Sequence, residues 1–424
     1  MIEALSLDQW LTLLENRHAD EVQLGLQRVR AVASRLSLCD LGSCVVITVA
    51  GTNGKGSTVA SLEAIYVAAG FRVGSYTSPH LFQFNERIRV NKQCISDESL
   101  THAFGLLEMT RGDIHLTYFE MTTLAALYHF KQSNLDVVIL EVGMGGRLDA
   151  TNIIDADLAI ITTIDLDHQA YLGNTVEAIG YEKAGILRPH QLFIYADENP
   201  PMSVLEQAAL LNTRTYVLGR EYFFTKTPDN ICILRENKPL LTLPRPDINP
   251  KAVAAAIMAS ELIVDKLALN SSQYALAMQT ISLFGRQQIM SGPVARLFDV
   301  AHNPQAVSLL AKRISGHLLT GKVHAVFSAL KDKDLCGLIR PMLSLVDHWY
   351  LGVLSGKRAA SPLALFEGFP EDDKTKVSCF DNPVLAYEAA MTQAKLGDII
   401  VVYGSFLTVS AIMLAEQMDR EDFK

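Results

Sequence analysis

The sequence predicts an α/β protein of two successive domains, and three observations carry that prediction. Short β-branched apolar runs of the kind a buried parallel strand needs recur between helix-patterned segments, at 45–49, 136–142 and 158–163. A glycine-rich turn, Gly51-Thr52-Asn53-Gly54-Lys55-Gly56-Ser57, joins the first run to an amphipathic stretch that stops at Gly70, a natural residue just past a helix end. After the break Ser291-Gly292-Pro293, the strand–helix alternation restarts at Val294 with short connections. At 424 residues the chain is also too long for one ordinary core. The expected organisation is a P-loop-type doubly wound domain over 1–290 with N-terminal helices, a linker at 291–293, and a smaller Rossmann-like α/β domain over 294–424.

Strand, turn and helix start together make a phosphate cradle. The glycines let backbone N–H groups point inward, the helix N-terminus favours anions, Lys55 reaches the outer phosphates, and Ser57 can hold Mg²⁺. Thr52, Asn53, Gly54 and Gly56 complete the nucleotide-binding turn. The spacing departs from the usual P-loop, because Gly56 follows the lysine and Ser57 comes one place late. An ordinary βα turn needs neither three glycines nor a lysine.

Composition narrows the classes. Apolar residues make up 49% and charged residues 20%, which describes a globular chain with ample core. A net charge of −9 argues against nucleic acid as a partner, since affinity there rests on neutralising phosphates. Six scattered cysteines without a CxxC pair predict reduced thiols rather than a structural metal. Residues 1–38 have no apolar signal core, and no run approaches the roughly 18 residues of a membrane span. The expectation is a cytoplasmic protein.

Along the chain, 5–38 reads as a pair of helices, and the stretch containing Leu24, Gly25 and Arg28 reads by itself as packing. The strand at 72–77 runs into Ser78-Pro79, which forces a loop at a carboxyl end, where α/β sheets place ligands. Asp97 is expected to cap a helix to about residue 110, and 119–131 reads as another helix. Glu141 is the one charge near the end of a buried strand, expensive unless paired or bound to a cation. Asp165-Leu166-Asp167-His168 follows a further strand, which favours a ligand or catalytic role for His168 over a structural one. Lys183 reads from its helix alone as a surface salt-bridge partner. Strand-end Ser57, Ser78, Glu141 and His168 offer oxygen and imidazole ligands suited to Mg²⁺ that also binds phosphates. In the second domain Asp299 ends a strand, placed to take a ribose hydroxyl, while Asn303 before Pro304 fills the cap role of the next helix. Lys331 lies in a charged segment that reads as a solvated loop, and Gly404-Ser405-Phe406 repeats the strand-then-glycine-serine theme.

Taken together these stretches resemble the Mur-ligase superfamily and, within it, the folylpolyglutamate synthases. The resemblance rests on GTNGKGS at 51–57, TSPHL at 77–81, NERIRV at 85–90 and LEVGMGGRLDATN at 140–152. It continues through Asp167-His168, EKAGI at 182–186, GRQ at 285–287, DVAHNP at 299–304, DKD at 332–334 and GSF at 404–406. The proteobacterial bifunctional branch, dihydrofolate synthase plus folylpolyglutamate synthase, is the nearest likeness. There Leu24, Gly25 and Arg28, with Thr117, Tyr118, Phe119 and Glu120 and with Leu148, Asp149 and Ala150, would line the pterin or folate site. The likeness implies ATP as co-substrate on residues 52–57, with Arg286 and Asp299 also at the nucleotide. It further implies two Mg²⁺, one among Ser57, Ser78 and Glu141 and one at His168 and Lys183, the lysine being carbamylated. His302, Lys331 and Ser405 would serve L-glutamate, Lys55 and Lys183 the phosphoryl chemistry. The implied reaction joins L-glutamate to dihydropteroate and to the terminal glutamate of folates through an acyl phosphate, in a cytoplasmic monomer. The alternatives are a monofunctional folylpolyglutamate synthase, a cell-wall Mur ligase, or a nucleotide-binding regulator without turnover. Lys251 and Asn249 stand near where relatives carry a base-contacting asparagine, and Val300 replaces a common glycine.

Overall fold

The N-terminal segment folds as two helices, α1 (Leu7–Asn16) and α2 (Gln27–Arg35), in a computed structural model that describes residues 5–17, 23–316 and 321–417. Ser6 starts α1 with a capping box: its hydroxyl accepts from the Gln9 N–H while the Gln9 side chain accepts from the Ser6 N–H. The stripe Leu7, Trp10 and Leu14 is then buried, as its spacing dictates.

Two compact units follow from the contacts, one of residues Met1–His80 and Phe84–Ser282, the other of Leu81–Gln83 and Leu283–Lys424. In the first, β1 (Val45–Ala50), β2 (Val73–Tyr76), β3 (Ile88–Val90), β4 (Gln93–Cys94), β5 (Val137–Glu141), β6 (Leu158–Ile161), β7 (Leu192–Tyr195) and β8 (Arg214–Val217) form one sheet in the order β4-β3-β2-β5-β1-β6-β7-β8. Pairing is parallel from β2 through β8, and β3 and β4 add an antiparallel edge. The crossovers are α3 (Lys55–Ala68), α4 (Asp97–Arg111), α5 (Tyr118–Gln132), α6 (Gln169–Leu172), α7 (Val176–Ala184) and α8 (Met202–Leu210). A three-stranded sheet, β9 (Tyr222–Lys226), β10 (Asn230–Arg235) and β11 (Lys238–Pro244), precedes α9 (Pro250–Leu262) and α10 (Ser271–Thr280).

Two sequence expectations change here. The stretch after the glycine-rich turn is not amphipathic in the fold: α3 is buried continuously from Ser57 to Tyr66. The sheet covers one side, and α9 and α10 cover the other, with α9 buried continuously from Ala252 to Ser260. Alanine in α9 leaves room for close helix approach. The cap of α4 is Ser96, whose hydroxyl accepts from the Ser99 N–H, and Asp97 is the first helical residue instead.

The second unit holds β12 (Gln288–Met290), β13 (Ala295–Phe298), β14 (Val323–Phe327), β15 (His348–Gly352), β16 (Val377–Phe380) and β17 (Ile399–Tyr403), in the order β12-β13-β17-β14-β15-β16. Its helices are α11 (Pro304–Ser315), α12 (Leu335–Ile339), α13 (Pro362–Glu367), α14 (Pro383–Gln393) and α15 (Phe406–Ala415). The boundary expected after residue 290 is corrected by β12, which pairs antiparallel with β13 and so belongs to this sheet. Residues 291–293 turn a hairpin rather than link domains. Among the described residues no helix is long and apolar enough to cross a membrane, and the six cysteines are free thiols.

Gly404 sits where β17 turns into α15, with φ at 107°. A Cβ there would lie 2.2 Å from the Ser328 carbonyl oxygen and 2.7 Å from the Phe327 ring. Gly404→Ala is therefore expected to destabilise the second unit by about 3 kcal/mol or more, combining left-handed strain with overpacking. Hydrogen exchange read by mass spectrometry should show lost protection in β14 and β17, with β1 and β5 unchanged.

Candidate active site

Four neighbouring strands bring their carboxyl ends to one edge of the first sheet. In the order β2, β5, β1, β6, these ends carry Ser78, Glu141, the turn 51–57, and the segment from Thr162 to His168. Parallel pairing forces this convergence, because every strand in the set points the same way.

The turn is clamped from β6. Thr162 Oγ1 donates to the Asn53 carbonyl at 2.6 Å, the Thr52 N–H donates to the Thr163 carbonyl at 2.6 Å, and the Asn53 N–H donates to Thr163 Oγ1 at 3.2 Å. Gly51, at φ 143°, passes so close that a Cβ would lie 1.8 Å from Thr162 Oγ1. Gly54, at φ 89°, precedes α3 directly. The N-terminal end of that helix, with the positive end of its dipole, lies at the turn.

Two lysines approach the same backbone. Lys55 Nζ donates to the carbonyls of Gly51 at 3.1 Å and Thr52 at 3.3 Å. Lys183 Nζ donates to the Gly51 carbonyl at 2.9 Å. Lys183 is 4% exposed, which overturns its reading as a surface salt-bridge partner. Burial, and then the positive charge of Lys55, push its pKa down to about 7, against the pull of Asp167 and Asp149. The lysine reaches inward because α7 packs its last turn on the glycine run after β5: the Arg147 N–H donates to the Glu182 carbonyl, and a Cβ on Gly146 would meet the carbonyls of Glu182 and Lys183 at 2.9 Å.

Glu141 is 4% exposed at the end of β5, and the Ser78 N–H donates to its Oε2 at 3.3 Å. Ser57 lies in the first turn of α3 and is also buried. Since β5 lies between β2 and β1, the carboxylate stands between the strand ends that deliver the two serines. Among the described residues no three His, Cys, Asp or Glu side chains form a cation cage by themselves. The donors on offer are hydroxyl and carboxylate oxygens, which fit a hard divalent cation. His168 heads α6 in a left-handed conformation, about a third exposed, with Nε2 3.9 Å from Asp167 Oδ2.

The three stretches expected at the pterin site do come together. The Gly25 N–H donates to the Leu148 carbonyl at 3.4 Å, beside Leu24, and Arg28 Nη2 donates to Glu120 Oε1 at 3.0 Å. Thr117 and Glu120 form the capping box of α5. Phe119 lies against Gly143, where a Cβ would meet its ring at 2.5 Å, two residues beyond Glu141. Asp149 is buried, accepts from the Met144 and Thr151 N–H groups, and caps the short turn that begins with Ala150. Arg87 is a residue that sequence reasoning missed: its guanidinium lies over Phe84 at 5.1 Å and Tyr118 at 5.6 Å. Its only signal is membership of the NERIRV stretch.

In the second unit, β13, β17 and β14 are adjacent, so Asp299, Ser405 and Lys331 follow neighbouring strand ends. Asp299 accepts from the N–H groups of Gln287 at 3.1 Å and Ala301 at 2.7 Å. Burial pushes its pKa up to about 6, opposed by Arg286. Asn303 caps α11 as expected, its side chain accepting from the Ala306 N–H. The His302 Nδ1–H donates to the Val300 carbonyl at 2.9 Å, so Nε2 carries the lone pair of the neutral ring. Phe406, quoted in a motif but given no role, supports Arg286 at 4.9 Å and meets the His302 ring at 5.9 Å. Ser405 caps α15 through its hydroxyl oxygen, and Lys331 is exposed.

Comparison with known proteins places this geometry. Residues 49–227 match the Mur ligase middle domain, and residues 285–406 match the Mur ligase, glutamate ligase domain. The chain is 43% identical to the dihydrofolate synthase/folylpolyglutamate synthase of Escherichia coli (strain K12), over 97% of this chain and 95% of that protein. Its fold is similar to E. coli FolC in complex with DHPP and ADP, with a TM-score of 0.92 and 40% identity over 98% of both chains. A bifunctional folylpolyglutamate synthase/dihydrofolate synthase with Mn, AMPPNP and L-glutamate bound gives a TM-score of 0.91 and 41% identity, over 98% of this chain and 99% of the other. From a clamped phosphate turn to a glutamate ligase domain, this chain belongs to the dihydrofolate synthase/folylpolyglutamate synthase family of Mur ligases.

Proposed function

We propose that the protein is an ATP-dependent carboxylate–amine ligase that joins L-glutamate to dihydropteroate and to the terminal glutamate of folates. The observation that carries this reading is one sheet edge with a clamped phosphate turn, a buried carboxylate between two serine-bearing strand ends, and the Arg28–Glu120 pair linked to it through Phe119. Kinship over 97% of the chain supports it. A cytoplasmic location fits a folate-making enzyme with free thiols.

The acceptor's aromatic body lies among residues 24–28, 117–120 and 148–150, its carboxylate toward the phosphate turn. That carboxylate attacks the γ-phosphorus of ATP, ADP leaves, and an acyl phosphate forms. Lys55 and the N–H groups at the start of α3 stabilise the charge that spreads over the phosphoryl oxygens. Ser57, Ser78 and Glu141 would hold one Mg²⁺, and His168 with Lys183 a second. The ions would neutralise phosphate charge and orient the transferred group. Lys183 has the chemistry for carbamylation, because a pKa of about 7 supplies the neutral amine that adds to CO₂. The product is an anionic oxygen donor in place of an ammonium. The family resemblance would also give Arg286 and Asp299 to the nucleotide. The glutamate amine then displaces phosphate through a tetrahedral intermediate. We assign the glutamate side of the reaction to His302, Lys331 and Ser405, with the His302 ring as the base that takes the amine proton.

Phosphate release from ATP should require L-glutamate and proceed with either dihydropteroate or tetrahydrofolate as acceptor. Turnover with tetrahydrofolate alone would mark a monofunctional synthase, and turnover with neither would sink the folate reading.

Arg28→Ala breaks the tie between α2 and α5, and the KM for dihydropteroate should rise by about tenfold or more while KM for ATP stays within about twofold. Equal loss for both substrates would count against the pterin assignment.

Lys183→Ala should lower kcat by roughly a hundredfold or more. Intact-protein mass spectrometry after trapping in bicarbonate should show one added CO₂ on the parent chain and none on the variant.

A further inference from the structure

Glu63 and Arg89 form an ion pair, with side chains 5% and 12% exposed, that the mechanism leaves without a task. Glu63 lies in α3, eight residues past Lys55, and Arg89 is the middle residue of β3. Arg89 donates from Nε to Glu63 Oε1 at 3.2 Å and from Nη2 to Oε2 at 3.0 Å, a two-point grip. Ser75 Oγ donates to the same Oε1 at 2.7 Å. The other arm, Nη1, donates to Thr77 Oγ1 at 3.3 Å and to the Glu86 carbonyl at 2.9 Å.

One guanidinium therefore grips the helix that begins with Lys55 and Ser57, and also the residue immediately before Ser78. The Ser78 N–H in turn meets Glu141. Burial works against the charge on Arg89, and the carboxylates of Glu63 and Glu141 are among the charges that outweigh it. Its field thus extends to the strand-end carboxylate.

Stability alone explains such a pair poorly, since apolar residues of similar volume hold a helix on a sheet as well or better. Apolar residues would not fix the Thr77 hydroxyl, and with it the register of Ser78 against α3. We propose that Arg89 is a positioning residue for the divalent cation, holding Ser78 and Glu141 in register with Ser57 so that their oxygens meet one ion. The proposal rests on the cation site assigned to these three residues above.

The test is Mn²⁺ binding, read by electron paramagnetic resonance as loss of the free-ion signal, in the full-length protein with ADP present. Arg89→Lys keeps the charge but loses the fork, and Thr77→Val removes one hydroxyl and leaves the ion pair. Expected are an affinity for Mn²⁺ weaker by roughly tenfold or more in Arg89→Lys and by about fivefold in Thr77→Val. ADP affinity measured calorimetrically without metal should stay within about twofold in both, which a general loss of structure would not allow. Parent-like Mn²⁺ affinity in both variants, whatever happens to thermal stability, would overturn the proposal. Should Arg89→Lys fail to fold, Thr77→Val decides on the same criterion. A parent protein that binds ADP but no Mn²⁺ would overturn the cation site itself, a result distinct from parent-like variants.

Discussion

Two ammonium groups share one carbonyl oxygen, that of Gly51, and the rest of the first unit is arranged around that crowding. Lys55 arrives from the first turn of α3 and Lys183 from the last turn of α7. Burial of Lys183 is the larger cost and the like charge of Lys55 adds to it, and together they depress the pKa of Lys183. Anions relieve the repulsion. Under the proposed function a polyphosphate in the turn would compensate Lys55, and carbamylation would turn Lys183 from a cation into an acid. The clamps from Thr162 and Thr163 hold the turn in the conformation that offers its Gly51 carbonyl to both lysines.

Much of the fold was legible because parallel strands buried on both faces read as largely apolar runs, and the segments at β1, β5, β6, β14 and β17 did so, interrupted by only Thr48, Glu141 and His324. The glycine-rich turn was legible because few other residues accept a φ near 143° beside Thr162. What misled was burial, which periodicity reports poorly. The run after the turn looked one-sided, and α3 is wrapped on every side. Lys183 looked solvated, because a lysine on a short polar helix usually is, and nothing local reveals that glycines 145 residues into the chain leave room for that helix to dock. Long-range pairs such as Arg28–Glu120, 92 positions apart, are equally silent until the chain folds.

The second unit uses the same physics with a different emphasis. Its polar groups again follow the carboxyl ends of adjacent parallel strands, but hydrogen bonds within the turns fix them more than charge does. Asp299 is held by two backbone N–H groups, His302 by its neighbour's carbonyl, and Ser405 by its own helix. Arg286 rests on the face of Phe406, a stack that sets the direction of the guanidinium without neutralising it.

The assignment of Leu81–Gln83 to the second unit changes how the polypeptide can be dissected. Leu81 is buried with Phe298, Val300 and Val409, and the Phe82 ring packs edge-on to Phe284 at 5.9 Å. The chain crosses between units three times, not once. A fragment cut at residue 283 would carry every strand of the second sheet and still lack part of its own hydrophobic filling. Gene fusions, truncations and domain exchanges within this architecture must therefore carry a three-residue guest from two hundred positions upstream, or rebuild the surface it covers.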